Sequence, residues 1–142
     1  MSVKSIDEEA GFTREFVSPD GRQAVIVEDD GRVGYAYLLD DHGKICGDVW
    51  LYNRCPTPEQ PEWNKRDNAP FANPAPFVDG DVIFLPPDSA TDMTVEWEGE
   101  GDARTVGIYL RRKLFAKLMK GAKPGWARLA AKDGPLARVL TS

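Results

Sequence analysis

Histidine is almost missing from this chain. His42 is the single one in 142 residues, and the two cysteines, Cys46 and Cys55, do not form a CxxC pair. A zinc site built from four Cys and His ligands has too few candidates, so neither a metal nor a cofactor is expected. No apolar run approaches the roughly 20 residues that a membrane-spanning helix needs, and no membrane association is expected. The opening stretch MSVKSIDEEAGF has no apolar core of the kind a secretory leader carries. Reduced thiols in a bacterial cytoplasm are the expected setting. Also absent are a glycine-rich phosphate loop, a GxSxG elbow and an HExxH pair.

Acidic residues are nearly absent from one part of the chain. Residues 104–142 hold 10 Lys and Arg against Asp133 alone, whereas residues 1–103 hold 8 Lys and Arg against 22 Asp and Glu. The net charge is -5 and the isoelectric point about 4.9. Either the basic segment neutralises the acidic part internally, or it offers a face to an acidic partner. An acidic isoelectric point disfavours nucleic acid as that partner.

What is present reads mainly as strand. FTREFVS alternates polar and apolar residues and ends at Pro19-Asp20-Gly21, a turn signal. RQAVIVE, VGYAYLLD and ICGDVWLYN are rich in β-branched and aromatic residues. Asp29-Asp30-Gly31 and Asp40-Asp41-His42-Gly43 lie between them, so Arg22 to Asn53 is expected to form a three-stranded meander with aspartates at its turns. Consecutive turns lie at opposite ends of the strands, roughly 20 Å apart for strands of this length. The two acidic clusters therefore share neither a metal nor a catalytic proton. Further strands are expected over residues 81–86, 92–99 and 104–110, the middle one carrying Met93, Val95 and Trp97 on one face and Glu96 and Glu98 on the other.

Leu110, Leu114, Phe115, Leu118 and Met119 recur at helical spacing, with Gly121 placed for a C-cap. They predict an amphipathic helix with Arg111, Arg112, Lys113, Lys117 and Lys120 outward. Beyond it, Asp133 followed by Pro135 suits a helix start, with a hairpin at Lys132-Asp133-Gly134 as the alternative. The expectation is one domain over residues 1–142, an antiparallel sandwich or open barrel of about seven strands with a C-terminal helix.

Residues 54–78 form a loop with six prolines. So long an irregular connection is uncommon unless it has a function. Trp63, Asn64, Lys65, Arg66, Asn68 and Phe71 in it are the candidate binding residues, and no catalytic residue is assigned. The expected function is non-enzymatic binding of a protein partner through this loop or the acidic surface.

GDVIFLPP, Gly80 to Pro87, resembles the second conserved box of the cupin jelly roll, though the histidine that follows in metal-binding cupins is here replaced by Asp88. The resemblance implies a small-molecule-binding barrel or an enzyme without a histidine metal site, as an alternative to partner binding. The stretch VEDDGRVGYAYLLDDHGKICGDVWLYN is similar to a family of uncharacterised bacterial proteins that share an EDDGxxGYxYxLD block and a strand ending Tyr-Asn. By analogy, small acidic proteins of this kind resemble immunity proteins, which implies a basic toxin domain as partner.

Overall fold

The chain is described here from a computed structural model, over residues 11–82 and 84–141. It is mainly β, in two sheets. The first is a four-stranded antiparallel meander in the order β1 (Phe12–Val17), β2 (Ala24–Asp29), β3 (Val33–Leu39), β4 (Ile45–Asn53). The second has the order β5 (Met93–Glu98), β6 (Thr105–Leu110), β7 (Lys113–Met119), β8 (Trp126–Ala127), β9 (Arg138–Val139), and no closed barrel forms.

The two meander turns follow from aspartate and glycine chemistry. Asp30 accepts the backbone N–H of Arg32 at 2.8 Å and of Val33 at 2.9 Å, beside Gly31 at φ 88. Asp40 accepts from His42 at 2.9 Å and Lys44 at 3.0 Å, beside Gly43 at φ 76. Each carboxylate replaces the ladder bonds that a reversing backbone loses. The turns stand at opposite ends of β3, as the meander requires.

Asp29 adds a second role to the first of these turns. Its side chain is fully buried at the end of β2 and receives Tyr52 Oη and Arg54 Nε, each at 2.6 Å. Arg54 also donates to the carbonyl of Pro87, which ties the connection before β5 to the first sheet. The other oxygen of Asp29 accepts the Gly31 N–H at 2.8 Å, so Asp29 serves the turn and a buried ion pair together.

Alternation builds one core from both sheets. Val25, Val27, Leu38, Val49 and Tyr52 from the first meet Val106, Ile108, Phe115 and Leu118 from the second. The outer border of β4 is bonded to residues 121–136: Gly121 N–H donates to Cys46 O at 2.7 Å, Gly125 N–H to Asp48 O at 2.7 Å and Trp50 N–H to Leu136 O at 2.9 Å.

Four expectations are corrected. No C-terminal helix forms; Leu110 to Met119 is the turn and second strand of the β6–β7 hairpin. A bulge opposite Ile108 and Tyr109 makes Phe115 and Ala116 consecutive buried residues, and that doubling imitates helical spacing. Residues 81–86 form no strand among those described. The tail is neither helix nor hairpin, because β8 and β9 pair in parallel. Among the described residues nine strands stand where about seven were expected, two of them only two residues long.

Candidate functional site

The proline-rich loop is pinned to the first sheet by its own backbone. Arg32 Nη1 donates to the carbonyls of Asn68 and Pro70, each at 3.1 Å, and its other terminal nitrogen pairs with Glu62. Glu62 also accepts the N–H of Ala72 at 3.1 Å, and Tyr35 Oη donates to Phe71 O at 2.8 Å. Trp63 packs edge-on against Phe77, with ring centroids 6.2 Å apart. Trp63, Asn68 and Phe71 are therefore half-buried parts of the anchor, while Asn64, Lys65 and Arg66 are exposed together at one turn. None of the six lines the concavity at the Asp40 end of the molecule.

A concavity does form at the end of the molecule carrying Asp40 and Asp41. It has a volume of about 560 Å³, and three turns and the end of β7 supply its walls. Asp20 and Arg22 come from the β1–β2 turn, Asp40 and Asp41 from the β3–β4 turn, Glu100, Asp102 and Arg104 from the β5–β6 connection, and Lys120 from just past β7. Loops gathered from two sheets at one end are a common place for recognition.

Its floor is an ion pair between the sheets. Arg104 Nη1 and Nη2 meet Asp20 Oδ1 and Oδ2 at 3.0 and 2.9 Å, a two-pronged geometry that favours arginine over lysine. Ser18 donates to Asp20 at 2.6 Å, and Arg104 lies 5.8 Å from the ring centre of Trp97. The arginine, then Ser18 and the Arg22 N–H, hold the Asp20 carboxyl well below the usual aspartate range. Lys120 pairs with Asp102 at 3.1 Å.

After those pairings, Asp40, Asp41 and Glu100 face the groove with Arg22 as the one cation left over among its lining residues. The Asp40 carboxyl is held low, chiefly by the Lys44 N–H, so it stays ionised and is a poor proton donor. His42 is exposed in the adjoining turn, 3.6 Å from Asp41. No nucleophile is paired with a base here, and no cluster of metal-ligating groups occurs among the described residues. The chemistry on offer is electrostatic recognition of positive charge.

The chain matches no family model, no curated protein and no solved structure.

Elsewhere, Glu96 and Glu98 are exposed on β5. Cys46 and Cys55 lie toward opposite ends of β4 as free thiols, about 30 Å apart by strand rise, too far to pair. Sequence reasoning treated Asp40 and Asp41 as turn residues only and did not single out Asp20, Glu100, Asp102 or Arg104. The switch in charge sign at residue 104 was the available signal, since an arginine opening a basic segment needs a carboxylate from the acidic part.

Proposed function

We propose that the protein is a non-enzymatic binding protein of the bacterial cytoplasm that takes a basic protein partner into this groove, in the manner of an immunity protein covering a toxin domain. The observation that carries this reading is the excess of carboxylates, Asp40, Asp41 and Glu100, lining this hollow. Arg104 and Lys120 have already used Asp20 and Asp102, so the basic segment neutralises only part of the acidic surface. A partner presenting Lys or Arg finds both charge and a preformed shape, which raises its rate of encounter. The exposed Asn64-Lys65-Arg66 turn of the proline-rich loop is a second contact region under the same reading.

Stopped-flow association with a basic nuclease-type toxin domain tests the proposal. The association rate is expected to fall at least about tenfold between low salt and about 0.5 M salt. The Asp41→Asn, Glu100→Gln double variant should lose most of the low-salt advantage. Association that is indifferent to salt and to both substitutions rejects the reading.

A further inference from the structure

A second hollow lies behind the groove, on the outer face of the second sheet. The register places Glu96, Gly107, Lys117, Trp126 and Arg138 in one row across the five strands. Thr105 and Met119 are paired in the next row. Where the two rows meet, Thr105, Lys117, Leu118, Met119, Trp126, Leu140 and Thr141 line an open hollow of about 210 Å³. A cavity of about 150 Å³ accepts a benzene ring, so there is room for one ring and a small substituent.

The lining is amphipathic in a specific way. Met119, Trp126 and Leu140 are half-buried and give it an apolar wall. Lys117 is half-buried on the same wall and joins no ion pair among the described residues. An ammonium group that has lost part of its water and has no counter-charge favours an anion. Trp126 is held in place from outside: Arg138, which does not line the hollow, sits 4.3 Å from its ring centre and anchors itself on Pro124 O at 2.9 and 2.7 Å. Two strand acids stand in register with the lining, Glu96 beyond Gly107 from Lys117 and Glu98 opposite Thr105, and neither lines the hollow.

We propose that this hollow is a binding site for small aromatic carboxylates, with the ring against Trp126, Met119 and Leu140 and the carboxylate on Lys117. Flat rings suit a tryptophan wall, and one charged contact sets the orientation. The site stands back to back with the acidic groove: Arg104 and Lys120 line one, their neighbours Thr105 and Met119 the other. A bound acid is thus separated from the groove by a single pair of strand ends.

Amide and indole NMR shifts of the whole chain, titrated with indole-3-acetate, benzoate and uncharged indole, test the proposal. Saturating shifts are expected at the Trp126 indole N–H and the Lys117 and Met119 amides, with both carboxylates tighter than indole. Lys117→Met should weaken the carboxylates about tenfold, as loss of one charged contact implies, and leave indole unchanged. Trp126→Ala should weaken all three; should that variant fail to fold, Lys117→Met alone decides. Absence of shifts at millimolar ligand, shifts centred on other tryptophans, or equal binding of indole and indole-3-acetate in both proteins overturns it.

Discussion

Gly34 shows how one side chain fixes another. A Cβ added there would lie 2.5 Å from Tyr52 Cζ, in clash with its ring, and the same ring carries the hydroxyl that holds Asp29. Gly34→Ala is expected to cost about 1–3 kcal/mol by overpacking, read as a lower urea midpoint with unchanged slope. Asp48 offers a test of opposite sign. Burial raises its pKa, with Lys123 only partly offsetting it, and its carboxylate has no hydrogen bond from the described residues. The folded state then binds the proton more tightly than the unfolded chain, so this group makes the protein more stable as pH falls through the raised value. Asp48→Asn should therefore raise the melting temperature at pH 7, and the gain should vanish below about pH 3, where the carboxyl is neutral in both states. A variant that melts lower than the parent at pH 7 would contradict this. Asp20 has the reverse sign: its depressed pKa contributes stability above about pH 4 that is lost as acid is added.

At the scale of elements, the meander was legible because two Asx turns with glycine, at Asp30 and Asp40, leave a local signature. The β6–β7 hairpin was not. Its turn is made by Arg111 at φ 51 and Arg112 at φ 71, positions where sequence rules expect asparagine or glycine. Two non-glycine residues in the left-handed region conceal the reversal, and the bulge at Phe115 completes the helical disguise. Strain of this kind costs about 1 kcal/mol per residue. Replacing Arg111-Arg112 with Asn-Gly should stabilise the protein by about 1–2 kcal/mol in thermal or chemical denaturation. An unchanged or lower midpoint would show that the arginines make compensating contacts. The groove was illegible for a different reason: Asp20 and Arg104 meet across 84 positions, and no local pattern reports such a meeting.

Across the whole molecule, the sheets are joined by a shared core, by Arg104 on Asp20, and by the backbone bonds along β4. Unfolding one sheet would strip the other of all three. A single cooperative transition is expected, with far-UV circular dichroism and tryptophan fluorescence coinciding, since Trp50 reports on the first sheet and Trp97 and Trp126 on the second. Separate transitions for the two signals would contradict it. No helix among the described residues is long and apolar enough to cross a membrane.

The backbone bonds along β4 also set an order of events during synthesis. The Trp50 amide waits for the carbonyl of Leu136, a residue the ribosome adds long after the fourth strand has emerged. Until then the outer edge of that strand is an open template on the nascent chain, and residues 121–136 act as the seal that closes it.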